Sequence, residues 1–152
     1  MTAATTGSAV PDRTTLSHLS QGRAEPSGGA VDLTVLIPAL HEGPNLAILL
    51  PQLNAILERL HIRHEIFLLT QNADGLTRDA ARHYGARVVE QVEPGYGGAL
   101  VTGFARASGE YLLTMDADLS HPPAFIEHLW NERDAADVTI ASRYVPGGHA
   151  HM

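Results

Sequence analysis

The run Met115-Asp116-Ala117-Asp118-Leu119-Ser120-His121-Pro122-Pro123 is the densest cluster of chemically capable groups in this 152-residue chain. Its two carboxylates stand two positions apart, directly after the apolar stretch Tyr111-Leu112-Leu113-Thr114. In an extended backbone alternate side chains share a face, so both acids would point the same way. Two anions so close repel each other unless a cation joins them. A hard divalent ion, Mg²⁺ or Mn²⁺, takes oxygen ligands and commonly bridges to substrate phosphates. A plainer reading is local: Asp118 or Ser120, ahead of Pro122, suits the N-cap of a following helix. An Asp-x-Asp pair alone does not choose between these, and its place after an apolar strand favours the first.

Three other segments invite the same question. Pro38-Ala39-Leu40-His41-Glu42 ends in an acid that would accept hydrogen bonds from a ribose or base, or would simply favour the positive end of the next helix. Taken alone, Glu42 fits the helix-dipole reading better. Glu93-Pro94-Gly95-Tyr96-Gly97-Gly98-Ala99 is a glycine-rich lead-in to a helix that would let backbone amides approach a phosphate or sugar. It lacks the spacing of a P-loop and does not follow the first strand as a dinucleotide fingerprint would, so a tight turn explains it equally well. Arg143, in Ser142-Arg143-Tyr144-Val145-Pro146-Gly147-Gly148, suits either a grip on a diphosphate or a surface ion pair. Nine histidines are present, without the His-x-x-x-His spacing of zinc hydrolases. His121, beside the acids, is the one placed to matter.

The elements that must position these groups can be read from periodicity. Strands are expected at residues 31–37, 65–69, 86–90, 110–115 and 137–141, each short, apolar and rich in β-branched residues. Helices are expected between them. Leu46, Leu49, Leu50, Leu53, Ile56, Leu57 and Leu60 recur at helical spacing, with Pro51 predicting a kink or an early exposed turn. Further helices fit 77–84, closed by Gly85, then 98–107 and 122–133. Five alternations of apolar strand and helix imply an α/β fold with a mainly parallel sheet covered on both faces. Ligands in such sheets bind beyond the carboxyl ends of the strands, near the point where strand order reverses.

Residues 1–30 are rich in Thr, Ser, Gly, Ala and Pro, with too few apolar residues to offset their ordering entropy. They are expected to be a flexible tail, with the domain at 31–148 and a short terminal tail at 149–152. Hydrophobic residues make up 44% of the chain, charged residues 18%, and the net charge is −7. That balance is globular and argues against a general nucleic-acid binder. All ten cationic side chains are Arg, and Cys is absent. A disulfide scaffold, a thiolate metal site and a cysteine nucleophile are thereby excluded. No apolar run approaches the roughly 18 residues of a membrane span, and no secretory signal is visible. The expectation is a cytoplasmic domain, peripheral at the inner face of a membrane if its acceptor is a lipid.

Taken together, Ile37-Pro38-Ala39-Leu40-His41-Glu42, Gly95-Tyr96-Gly97-Gly98-Ala99, Ala107-Ser108-Gly109-Glu110-Tyr111, residues 115–123 and residues 141–148 resemble, in order and spacing, the family 2 glycosyltransferases of the GT-A fold. The polyprenol-phosphate (dolichol-phosphate) mannosyltransferase branch is the nearest likeness, over roughly residues 31–148. The resemblance implies a Rossmann-like GT-A three-layer sandwich, incomplete at the C-terminus. It also implies a nucleotide-sugar donor, GDP-mannose first and UDP-glucose next, and a polyprenyl phosphate acceptor. By carry-over, Pro38, Leu40 and Glu42 would line the nucleotide pocket, Asp116 and Ala117 would touch the nucleotide, Asp118 with Ser120 would hold the metal, and Arg143 would meet the donor phosphates. Asp116, Asp118 and Arg143 would thus carry the chemistry.

Two departures stand out. Where relatives place early acids after the second strand, this chain has Thr70-Gln71, followed by Asn72-Ala73-Asp74-Gly75. The acceptor-binding half of relatives lies beyond the residues matched here, which leaves room for a second chain to supply it. Two other readings therefore stand beside a catalytic domain: a non-catalytic nucleotide-sugar-binding module, and a metal-dependent nucleotidyltransferase whose Asp-x-Asp serves phosphoryl transfer.

Overall fold

The computed structural model describes residues 30–142 and 144. The expected tails, 1–30 and 149–152, lie outside the described residues except for Ala30, and so does Arg143. Within that range the chain alternates strand and helix: β1 (Leu33–Pro38), α1 (Gly43–Arg59), β2 (His64–Thr70), α2 (Gly75–Tyr84), β3 (Arg87–Glu90), α3 (Gly95–Arg106) and β4 (Tyr111–Thr114). A 3₁₀ turn (Pro123–Phe125) and a short α4 (Ile126–Asn131) follow. The strands form one parallel sheet in the order β3-β2-β1-β4. After β3 the chain crosses back over β1 to lay down β4, so strand order reverses between β1 and β4.

β1 is buried at every position but Pro38, which is half-buried. Alternation sorts its side chains between two layers. Val35 and Ile37 join Ile66 and Leu68 against α1, α2 and α4, through Leu46, Leu50, Leu53, Leu57, Ala80 and Ile126. Leu36 joins Phe67, Leu69 and Val89 on the opposite face, where α3 packs through Ala99. Near its middle α3 comes close enough that a Cβ on Gly103 would lie 2.9 Å from a Leu69 methyl and 3.0 Å from a Leu36 methyl. This is a three-layer α/β sandwich.

The amino end of the sheet is tied by a polar knot. The Thr34 hydroxyl donates to Glu65 Oε1 at 2.7 Å, and that oxygen also accepts from the backbone and hydroxyl of Ser108, both at 2.8 Å. Gly109 N donates to the Thr34 hydroxyl at 2.9 Å. One carboxylate oxygen therefore joins β1, β2 and the turn before β4. Beside the knot, Asp32 accepts from Arg63 N at 2.9 Å and Nε at 3.0 Å, and pairs with Nη2.

Several expectations shift. α1 runs unbroken through Pro51. The carbonyl that loses its partner belongs to exposed Ala47 and can turn to water, so the proline is tolerated there. α2 starts at Gly75 because Asp74 caps it, accepting from Thr77 N at 2.7 Å. Gly85 closes it in the left-handed region, as expected. The helix expected over 122–133 is shorter, since Pro122 and Pro123 supply no N–H and the chain enters through a 3₁₀ turn. The fifth strand expected at 137–141 is not formed. Val138 and Ile140 are 74% and 78% exposed, and a groove of about 770 Å³ separates this segment from β4. With no neighbouring backbone to pair with, β propensity alone does not hold a strand.

Two stability predictions follow from this geometry. A Cβ on Gly109 would run into the Thr34 backbone nitrogen and lie 2.8 Å from the Leu33 carbonyl carbon, so Gly109→Ala should cost about 1–3 kcal/mol in denaturant unfolding. Gly97 has nothing within 4 Å of such a Cβ, and Gly97→Ala should be neutral or stabilising by up to about 1 kcal/mol. The Arg63 guanidinium, and then its backbone N–H, hold the Asp32 carboxyl below its ordinary value. A depressed folded pKa gives stability that is present above the unfolded value near 3.9 and lost as pH falls through the folded one. Asp32→Asn should therefore lower the unfolding midpoint at pH 7, and the gap to wild type should close in strong acid. A gap that persists there would assign the effect to something other than the ion pair.

Candidate functional site

At the carboxyl end of the sheet the turns after β1 and β4 face each other, because strand order reverses there. Between them lies a cleft of about 360 Å³. β1 and its turn supply Pro38, Ala39, Leu40 and Glu42; the end of β2 supplies Leu69, Thr70 and Gln71. Gln91 follows β3, α3 gives Gly95, Tyr96 and Ala99, and the chain beyond β4 gives Asp116, Ala117 and Asp118. Ala39 N donates to Leu69 O at 2.9 Å and Met115 N to Leu36 O at 3.1 Å. Both turns therefore leave the sheet on fixed backbone bonds.

The Asp-x-Asp segment is not a helix cap. β4 ends at Thr114, and Pro122, with no side-chain cap bond, precedes the 3₁₀ turn. Asp118 Oδ1 instead accepts from Ser120 N at 2.9 Å, closing a tight turn over Leu119. Leu119 takes φ +64 to fit it, a conformation that costs a bulky L-residue about 1–2 kcal/mol. Of four non-glycine residues at positive φ among those described, His41, Asn72 and Leu119 lie on this rim, and only His61 is elsewhere. Such strain gathers where a loop is held in place for a ligand.

Charge in the cleft is one-sided. Glu42, Asp116 and Asp118 line it, and no Arg, Lys or His does among the described residues. The Ser120 hydroxyl and backbone N–H hold the Asp118 carboxyl below its ordinary value, so it stays ionised at neutral pH. Asn45 Nδ2 donates to Glu42 Oε2 at 2.6 Å, fixing that carboxylate at the amino end of α1. Partial burial first, and then Asp116, push the Tyr96 phenol above its ordinary value. His121 Nδ1 lies 4.0 Å from Asp116 Oδ2 and 3.0 Å from the Ser120 hydroxyl. No cluster of three or more His, Cys, Asp or Glu among the described residues forms a protein-only metal cage. The oxygen donors of Asp118 and Asp116 fit the other arrangement, in which Mg²⁺ or Mn²⁺ takes one or two carboxylates and completes its shell with water and substrate phosphates.

The structure thus brings together Pro38, Leu40, Glu42, Asp116, Ala117 and Asp118. Ser120, exposed, does not line the cleft; it is bonded to Asp118 and near His121. Asp74 is turned away as the cap of α2, with His41 Nδ1 3.4 Å from its other oxygen. Gln91 escaped sequence reasoning. Its amide donates to Glu93 O at 2.7 Å and Gly95 O at 3.1 Å, bracing the turn that presents Tyr96. Its place directly after β3 was the signal for it.

The fold is the GT-A type of α/β sandwich. Glucosyl-3-phosphoglycerate synthase from Mycobacterium tuberculosis, solved with Mn²⁺, UDP and glucosyl-3-phosphoglycerate, matches with a TM-score of 0.57 at 23% identity over 85% of this chain and 46% of that one. The chain belongs to glycosyl transferase family 2, which matches residues 34–151. Its relatives include the dolichol-phosphate mannosyltransferases of Pyrococcus furiosus, 34% identical over 122 residues, and of Saccharomyces cerevisiae, 34% identical over 125 residues. The alignments cover 76% and 78% of this chain but 34% and 47% of those relatives. The chain spans between a third and a half of their length.

The Tyr96 contact is open to test. In a difference ultraviolet titration of wild type against Tyr96→Phe, the phenol should ionise above the ordinary value near 10. Asp116→Asn should bring it part of the way back, because burial, the larger cause, remains. No change in Asp116→Asn would mean that the two side chains do not meet.

Proposed function

We propose that this chain is the donor-binding part of an inverting glycosyltransferase that moves a hexose from a nucleotide sugar to a polyprenyl phosphate. The donor is read as GDP-mannose, with UDP-glucose as the alternative. One observation carries the proposal: three carboxylates line a cleft at the strand reversal, with no Arg or Lys among its described lining residues and the His121 imidazole 4.0 Å from Asp116 beside it. A diphosphate is repelled by such a surface unless a divalent ion comes with it. The family and the dolichol-phosphate mannosyltransferase relatives support the sugar and the lipid acceptor.

Pro38 and Leu40 would pack against the nucleoside, and Glu42 would accept hydrogen bonds from its hydroxyl or base edge. Thr70 and Gln71, uncharged, would meet the base with hydrogen bonds alone. Asp116 and Ala117 would border the diphosphate, and Asp118 with Ser120 would hold Mg²⁺ or Mn²⁺ there. When bound, the ion neutralises the charge that gathers on the departing diphosphate, a contribution of several kcal/mol in a dry site. Arg143, outside the described residues, is proposed to do the same from the other side.

The acceptor phosphate oxygen forms a bond to the anomeric carbon, and the bond from that carbon to the donor phosphate breaks, its electron pair leaving with the nucleoside diphosphate. The configuration inverts, from an α-linked donor to a β-linked product. A phosphate monoester is largely ionised at pH 7, so the attack calls for positioning rather than a strong base. That suits a cleft whose acids serve as ligands.

Calorimetric titration with GDP and UDP, each with and without Mn²⁺, should show binding of at least one that requires the ion. Asp118→Asn should weaken it about tenfold or more, near 1.4 kcal/mol. Binding that ignores both the metal and this substitution would overturn the assignment. Transfer of labelled mannose from GDP-mannose to polyprenyl phosphate, by a version extended to the length of the relatives, tests the reaction. Ion-dependent binding without transfer there would favour a non-catalytic nucleotide-sugar module.

A further inference from the structure

Two cavities meet at the carboxyl end of the sheet. The first is the acid-lined cleft of about 360 Å³. The second is the groove of about 770 Å³ between β4 and residues 137–141, with a largely apolar lining that includes Phe104, Leu112 and Trp130. Among the described residues they share two walls, Tyr96 and Asp116, and no other.

Tyr96 is held at that junction by design of the local chain. Gly95 takes φ +81 to swing the backbone into α3, and the Gln91 amide bonds to the carbonyls on both sides of that bend. The ring that results is 56% exposed, at a helix start where Gly95 and Gly97 are exposed as well, and it shares both cavities with the Asp116 carboxylate. It supports no core cluster, so packing does not account for an aromatic residue there. The cleft is near the lower limit of small-molecule pockets, roughly 300 Å³. On the donor reading a nucleoside diphosphate would occupy this cleft, and a hexose on its outer phosphate would lie where the cleft opens into the groove, against these two side chains.

We propose that Tyr96 is the sugar-recognising residue of this chain: its ring face packs on the hexose and its hydroxyl, with the Asp116 carboxylate, bonds the sugar hydroxyls. This rests on the donor reading above and deepens it. An aromatic face against sugar C–H groups combined with a short carboxylate acceptor discriminates sugar from no sugar, whereas the nucleotide contacts do not.

The test compares matched ligands with Mn²⁺ present, GDP against GDP-mannose and UDP against UDP-glucose, by calorimetry. Tyr96→Ala should weaken the matching nucleotide sugar about tenfold more than it weakens the bare nucleoside diphosphate. Tyr96→Phe should give a smaller loss, about threefold, since only the hydroxyl is removed. Unchanged thermal unfolding in both variants is the expected control for an exposed ring. Equal weakening of both ligands, or of neither, overturns the role of Tyr96 while leaving the donor cleft intact. Wild type that binds neither ligand pair overturns the donor reading and this inference together.

Discussion

Everything in this molecule is arranged around β1. It is paired on both sides, by β2 and by β4, and its side chains supply the centre of both apolar layers. Because β4 is reached by crossing back over β1, the turns that follow these two strands leave the sheet side by side. Residues 38–42 and 115–118, far apart in sequence, are thereby made to face each other. The two ends of the sheet then divide the work. Its amino end is closed by the Thr34-Glu65-Ser108-Gly109 knot, with short hydrogen bonds and no room for a Cβ on Gly109. Its carboxyl end carries the strained backbone, the unopposed carboxylates and the cleft. Stability is invested at one end and exposed chemistry at the other, as expected when a rigid scaffold carries a site on its loops.

The electrostatics follow from that division. Helix dipoles relieve carboxylates only at helix amino ends; Glu42 sits at that of α1, and the amino end of α3 also borders the cleft through Gly95 and Tyr96. Asp118 is served by Ser120, whose hydroxyl and N–H stabilise the ionised form and orient it. These bonds lower the cost of holding the charge, and among the described residues no Arg or Lys lines the cleft to balance it. A site built in this way is poised for a ligand that brings positive charge with it. This is the physical content of an Asp-x-Asp segment at a strand tip, and it distinguishes the segment from a helix cap, which would bury the same oxygens against backbone N–H groups.

Much of this was legible in the sequence because its strongest signals are short-range. Four of five strands announced themselves through β-branched apolar runs, and α1 through its leucine spacing. Gly85 and the proline-ended β1 gave boundaries. The site residues after β1 and β4 could be named because strand ends in parallel sheets are where ligands bind, and the family likeness supplied their roles. What failed depended on neighbours that a local pattern does not contain. Residues 137–141 alternate like a strand, yet a strand is made by its partner, and among the described residues none lies alongside. Pro51 reads as a break, yet its orphaned carbonyl faces water and the helix continues. Asp74, in the segment where the chain departs from its relatives, is consumed in capping α2 through a bond from the backbone N–H of Thr77. Tyr96 was hidden because a glycine-rich turn gives no hint of which side chain its bend will present, and Gln91 because only its place directly after β3 marked it.

The division between cleft and groove also sets how far the chemistry depends on the unpaired edge of β4. Every described wall of the acid-lined cleft comes from residue 118 or earlier: the ends of β1 and β2, the segments that follow the four strands, and helix α3. The groove alone is bordered by residues 136–141 and by the outer edge of β4. An exposed strand edge is an offer of backbone hydrogen bonds, and whatever answers it will reshape the groove and leave the cleft nearly as it is. On the function proposed above, donor binding and sugar transfer would for that reason be separable. The first would rest on the strands paired around β1, and the second on the side of Tyr96 and Asp116 where, among the described residues, β4 has no further strand beside it.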